Sequence, residues 1–121
     1  MSKHVVTIKR AYEEPSSHDG MRVLVDRLWP RGVSKDEARI DLWLKDVSPS
    51  DDLRKWFGHD PVRWKDFQQR YKAELSAGTG GAGMDELRSL ADKHHLTLVY
   101  SAKDEEHNNA VVLKEILDHR H

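Results

Sequence analysis

The stretch LTLVYSA at residues 96–102 is an apolar run between two segments with helical periodicity. Apolar residues recur three and four positions apart over residues 84–94 and again over residues 110–117. A strand that is apolar on both faces has to be covered on both faces, and parallel sheets meet this requirement by packing helices on each side. The run therefore predicts a layered α/β fold rather than a half-exposed antiparallel sheet.

The rest of the chain supplies further elements of such a fold. Short β-rich runs predict strands at about residues 4–10 and 22–28, and spacings of three and four predict a helix over 61–75. Segment 40–47 fits either periodicity, and we favour an extended conformation. A last helix is expected to begin at Asp104. The expected fold is α/β, a small three-layer, Rossmann-like domain with a mostly parallel or mixed sheet, and the 121 residues favour one domain spanning 1–121.

Composition narrows the classes of function. The chain has 20 basic and 21 acidic residues, and this balance argues against a nucleic-acid coat or a membrane-surface protein. It has no Cys, which excludes disulfides and thiol chemistry. The N-terminus has neither a signal peptide nor an apolar run that could span a bilayer, so we expect a cytoplasmic protein. A homodimer is the default expectation, because symmetric dimers are the commonest oligomers.

Two tempting patterns are weak. GTGGAG, residues 78–83, contains G-x-G-G-x-G, but it follows a predicted helix rather than a strand and lacks the P-loop Lys, so a flexible connector is the better interpretation. The eight His residues include no H-E-x-x-H pattern, and we expect no bound metal. No cofactor is indicated.

VLVDRLWPRG, residues 23–32, is the most informative motif, because it places charges where a buried strand ends. In an extended strand Asp26 and Arg27 point to opposite faces, so each needs its own partner or a cavity. Pro30 ends the strand. Arg27, Trp29 and Arg31 are therefore expected near its carboxyl end, the edge at which open α/β sheets bind ligands.

The strand at 96–102 ends in the same manner, with Lys103, His107 and Asn108 before or within a helix start. If the two strands are parallel neighbours, one crevice gathers Arg27, Arg31, Lys103, His107 and Asn108, which suits a phosphate or carboxylate. The equally weighted alternative is a surface ion-pair network with these acidic partners: Asp26, Asp41, Asp46 and Asp104.

These residues support three hypotheses about function. In the first, a polar cleft binds a small anionic ligand and has an optional catalytic role: Arg27, Arg31 and Lys103 hold the anion, Asp26 orients an Arg or acts as a base, and His59 or His107 is the general acid/base. In the second, a basic aromatic face binds nucleotides or nucleic acid, and it is formed by these residues: Arg27, Trp29, Pro30, Arg31, Lys45, Arg54 and Trp56. In the third, the charged residues only stabilise the fold or an interface.

Three segments in this order resemble the YeaO-like family of small bacterial and archaeal proteins: RVLVDRLWPRG, DLWLKDVSPS with LRKWFGHDP, and LTLVYSAKDEEHNNAVVL. The resemblance covers nearly the whole chain and implies a small α/β domain. It implies no activity. It does imply that the following positions matter as a group: Asp26, Arg27, Trp29, Pro30, Arg31, Gly32, Trp43, Lys45, Pro49, Ser50, Leu53, Arg54, Trp56, His59, Tyr100, Lys103, Asp104, His107 and Asn108.

Overall fold

The computed structural model describes residues 4–119 and contains one four-stranded sheet with the order β1-β4-β2-β3. The strands are β1 (Val6–Arg10), β2 (Met21–Leu24), β3 (Leu42–Trp43) and β4 (Leu96–Tyr100). The helices are α1 (Lys35–Ala38), α2 (Asp51–Phe57), α3 (Trp64–Glu74), α4 (Gly78–Lys93) and α5 (Asn109–Asp118). Every strand pair is parallel. The predicted α/β class is therefore confirmed, and the sheet is parallel rather than mixed.

Strand β4 lies in the interior of the sheet, as its predominantly apolar sequence predicts. It pairs with β1 on one side and with β2 on the other, and all five of its residues are buried. Val23 is in register with Leu98 and Leu24 with Val99, and the N–H of Val25 continues the ladder to the carbonyl of Val99. The carboxyl ends of β2 and β4 therefore lie side by side.

The two faces of the sheet are covered unequally. Helices α2 to α5 pack on the face that carries Val23 and Leu98, where the main core forms. The opposite face carries Leu24 and Val99, which pack with these residues: Ala11, Trp29, Ile40 and Trp43. The third layer of the fold is thus a thin one, made of loops and the end of the short helix α1, where the carbonyl of Ala38 accepts from the Arg22 side chain.

The Gly-rich segment is helical, and its prediction as a flexible connector is wrong. Helix α4 begins at Gly78 and includes the whole segment. Close contacts with neighbouring elements hold the segment in this conformation. A Cβ at Gly80 would lie 2.4 Å from the carbonyl oxygen of Glu74, and one at Gly83 would lie 2.9 Å from a methyl carbon of Val47. The glycines serve close packing of α4 against α3 and the turn at Lys45–Val47.

Several predicted boundaries also need correction. The last helix is capped by Asn108, not by Asp104, because the Asn108 side chain accepts from the N–H of Val111. Strand β2 ends at Leu24, so Asp26 and Arg27 lie in the loop after it. The ambiguous segment 40–47 divides into the two-residue strand β3 and a 3₁₀ turn.

Candidate functional site

A cleft of about 690 Å³ opens at the carboxyl ends of β2 and β4. One wall is the loop after β2, another is the loop after β4, and α2 with the residues that follow it closes the third side. The lining residues are Tyr12, Asp26, Arg27, Leu28, Trp29, Pro30, Arg31, Pro49, Arg54, Phe57, His59, Phe67, Ser101, Ala102, Lys103, Asp104, Asn108 and Asn109. The parallel pairing of β2 and β4 thus brings the two predicted motifs to one edge of the sheet.

Asp26 is the half-buried carboxylate of this cleft. Its Oδ2 accepts from the backbone N–H of Ser101 at 2.9 Å, and its Oδ1 accepts from the side-chain amide of Asn109 at 3.0 Å. Burial raises the pKa of Asp26 above its ordinary value, whereas the hydrogen bonds from Asn109 and Ser101 and the nearby His59 lower it. Asp26 therefore joins the end of β2 to β4 and α5, and no Arg within residues 4–119 forms an ion pair with it.

Asn109 is a site residue that sequence reasoning missed. Its amide donates to the carbonyl of Val25 and to Asp26, both at 3.0 Å, so it orients the carboxylate from the first turn of α5. The signal was available in the pair Asn108-Asn109: one Asn caps the helix, and the next is free to reach across to the end of the neighbouring strand.

Two tryptophans hold the loop after β2 in place. The indole N–H of Trp29 donates to the carbonyl of Val33 at 2.6 Å, and that of Trp43 donates to the carbonyl of Asp26 at 2.7 Å. The two rings meet edge to face at 5.5 Å. Tyr12 ties the loop after β1 to the same wall, because its hydroxyl donates to the carbonyl of Arg31. The wall is therefore anchored at several points before any ligand binds.

The basic residues of the cleft fall into two kinds. Arg27 and Arg54 both approach Asp51, at 3.6 and 3.5 Å, in exposed pairs that contribute little to stability. Within residues 4–119, no ion pair engages the side chains of Arg31 or Lys103. These two cations come from the loops after β2 and β4, and both line the cleft.

His59 lines the cleft from the segment after α2. Its backbone is left-handed, with φ of 58°, and it follows Gly58, which is also left-handed. This conformation is uncommon for a residue with a side chain, although His adopts it more readily than most. It turns the chain back at the end of α2 and leaves the exposed imidazole beside the cleft.

Three predicted site residues have other surroundings. His107 is not among the cleft residues: its ring contacts Asp104 at 2.9 Å and lies edge-on to Trp64. Lys45 also lies outside, with its ammonium 4.0 Å from the centre of the Trp43 ring. Asn108 borders the cleft, but its amide group is already used by the carbonyl of Asp104 and by the helix cap.

The described part of the chain shows neither a cluster of metal ligands nor a candidate membrane span. No group of three or more His, Cys, Asp or Glu residues within 4–119 could hold a metal ion. No helix in that range has the length and apolar character needed to cross a membrane.

Comparisons with known proteins agree with the resemblance read from the sequence. A family model described as "Inactive DUF488-N3 subclade" matches residues 5–121. The uncharacterized protein Rv3073c of Mycobacterium tuberculosis (strain H37Rv) is 41% identical over 115 residues, which cover 95% of each chain. The uncharacterized protein YeaO of Escherichia coli K12 is 41% identical over 112 residues, 93% of this chain and 96% of YeaO. No solved structure matches the chain significantly. Given this coverage and identity, the chain belongs to the YeaO-like family, within the group described as the inactive DUF488-N3 subclade.

Proposed function

We propose that the cleft binds a small anionic ligand, with Arg31 and Lys103 as its principal contacts. The observation that carries the proposal is that these two cations line one cleft, and neither has an ion-pair partner within residues 4–119. Four basic and two acidic side chains line the cleft of a chain whose net charge is −1, so positive charge is concentrated there. A low-dielectric cleft strengthens such a local field.

Binding without turnover is the form of this function that we favour. The family description includes the word inactive. Asp26 and His59 stay the candidate acid and base if a reaction exists, because both line the cleft. The one-domain architecture, cytoplasmic location and homodimer stay predictions.

A purely structural network is the less favoured account of the charged residues. Asp26 accepts from neutral donors, and Asp41 accepts from the backbone N–H of Arg22. Asp104 is engaged by the N–H groups of Glu106 and His107. These acids therefore have partners other than Arg31 and Lys103, which leaves both cations available to a ligand.

Calorimetric titration with ribose 5-phosphate tests the proposal. Arg31→Ala and Lys103→Ala are each expected to weaken binding about tenfold, the effect of one charge-assisted hydrogen bond of about 1.4 kcal/mol. The matched controls Arg88→Ala and Lys72→Ala remove exposed cations on α4 and α3 and are expected to change affinity less than about twofold. Equal affinity in wild type and Arg31→Ala would contradict the proposal, and loss of folding stability in Arg31→Ala would support the structural account.

A further inference from the structure

The cleft contains more surface than a bare anion would use, and the following inference rests on the proposed function. Two of its residues are large apolar side chains left unusually exposed: Tyr12 at 49% and Leu28 at 64%. Most such residues are buried in folded proteins, and isolated ones need no explanation. Here both border the same opening, together with Phe57, Pro30 and Pro49. A ligand with an apolar or flat body would cover them.

Tyr12 is well placed to contact a flat ring. Its hydroxyl is fixed to the carbonyl of Arg31, and the Arg10 guanidinium lies 5.2 Å from the centre of its ring. An aromatic side chain held at its end loses little conformational freedom when a ring packs against it. Tyr12 also borders the same wall as Arg31, so one ligand can reach both.

Asp26 adds a requirement for hydrogen-bond donors. An ionised carboxylate only accepts, and it offers about four acceptor positions. The donors from Asn109 and Ser101 leave part of this capacity for a ligand in the cleft. An anionic group has no donor for Asp26 and is expected to lie at the cations instead, whereas a ring that carries N–H groups can donate to the carboxylate.

We propose that the ligand is an anion joined to a flat heteroaromatic ring with N–H donors, in the manner of a purine or pyrimidine nucleoside monophosphate. The ring packs beside Tyr12 and Leu28 and donates to Asp26, and the phosphate lies at Arg31 and Lys103. Guanine is the preferred base, because its Watson–Crick edge presents an N–H beside an amino group. Uracil is disfavoured, because its single N–H lies between two carbonyls that would face the carboxylate.

Calorimetry on the full chain, with four probes, separates this inference from the proposed function. Guanosine 5′-monophosphate is expected to bind at least about tenfold more tightly than ribose 5-phosphate, a gain typical of stacking one base on an aromatic side chain. It is also expected to bind more tightly than uridine 5′-monophosphate or guanosine. Equal binding of guanosine 5′-monophosphate and ribose 5-phosphate would overturn the ring inference and leave the anion site standing. Equal binding of guanosine and its monophosphate would overturn the anion site, and no binding by any probe would overturn both.

Two variants locate the ring. Tyr12→Ala and Asp26→Asn are each expected to lower the ratio of guanosine 5′-monophosphate to ribose 5-phosphate affinity about fivefold or more. Tyr12 is half-exposed, so we expect Tyr12→Ala to fold normally. This variant therefore still tests the placement of the ring if Asp26→Asn disturbs the fold. Val62→Ala is the control, because Val62 is 91% exposed and lies outside the cleft. An unchanged ratio in both test variants would overturn the placement of the ring.

Discussion

At the scale of single residues, the cleft depends on one amide more than on any charged pair. Asn109 satisfies the carbonyl at the end of β2 and one oxygen of Asp26 at the same time. The exposed pairs of Asp51 with Arg27 and Arg54 contribute less, because water competes for both partners. Removing Asn109 therefore leaves two half-buried acceptors without their donor.

Asn109→Ala is expected to lower the free energy of unfolding by about 1–3 kcal/mol, because groups left without a buried partner pay their desolvation cost. Urea unfolding measures the change. Gln69→Ala, at an exposed position of α3, is the control and is expected to stay within about 0.5 kcal/mol of wild type. A loss of similar size in both variants would show that Asn109 has no special part in holding the strand end.

Burial, opposed by the hydrogen bond from Asn109, governs how Asp26 responds to pH. Because burial raises the pKa of folded Asp26, the folded state keeps its proton to higher pH than the unfolded state does. The stabilising contribution of Asp26 is therefore complete below its unfolded pKa and is lost as pH rises through the folded one. We expect the stability difference between wild type and Asp26→Asn to decline over this window and then level off, as measured by urea unfolding at a series of pH values. A rise over the same range would contradict the assignment.

At the scale of elements, the sequence predicted those with simple periodicity and missed those set by tertiary contacts. The apolar pattern of β4 correctly indicated an interior strand, and its neighbour β2 ends beside it as the motif analysis required. The first turn of α4 could not be read in this way, since four glycines in residues 78–83 have low helix propensity. Packing against α3 and the turn at Lys45–Val47 outweighs that propensity. The prediction that His107 lies in the crevice failed for a similar reason. Its ring contacts Trp64, which belongs to a helix distant in sequence.

Gly80 is in close contact with a neighbouring backbone and Gly81 is not, so substitutions at these two positions test whether close packing explains the glycines of α4. Gly80→Ala is expected to destabilise the protein by about 1–3 kcal/mol, because its Cβ would lie 2.4 Å from a backbone oxygen and neither helix can move freely. Gly81→Ala is the matched control: its nearest contact would be 3.4 Å, and the better helix former is expected to add up to about 1 kcal/mol. Thermal and urea unfolding measure both. Stabilisation by Gly80→Ala would contradict the close-packing explanation and would support the interpretation of the segment as a flexible connector.

At the scale of the whole molecule, charge distribution separates a small-ligand cleft from a nucleic-acid surface. The net charge of −1 gives no general attraction for a polyanion. The basic aromatic face expected from Arg27, Trp29, Pro30, Arg31, Lys45, Arg54 and Trp56 is divided, because Lys45 and Trp56 do not line the cleft. Lys45 lies over Trp43, outside the cleft that Trp29 and Arg54 border. The proposed site has two principal cations, Arg31 and Lys103, which form no ion pair within residues 4–119. Two cations release far fewer counterions on binding than a long phosphate-backbone interface does.

Salt dependence therefore distinguishes the two functions. A protein that contacts six to ten backbone phosphates loses about 10³–10⁵ in affinity between 50 and 200 mM salt. Under the proposed function the principal contacts of ribose 5-phosphate are Arg31 and Lys103. Over the same range its affinity is expected to fall less than about tenfold, because the Debye length shortens without counterion release from a polymer. Calorimetry at the two salt concentrations measures this, with a short DNA duplex as the comparison ligand. Tight duplex binding with the steep slope would establish a nucleic-acid interface in place of the cleft.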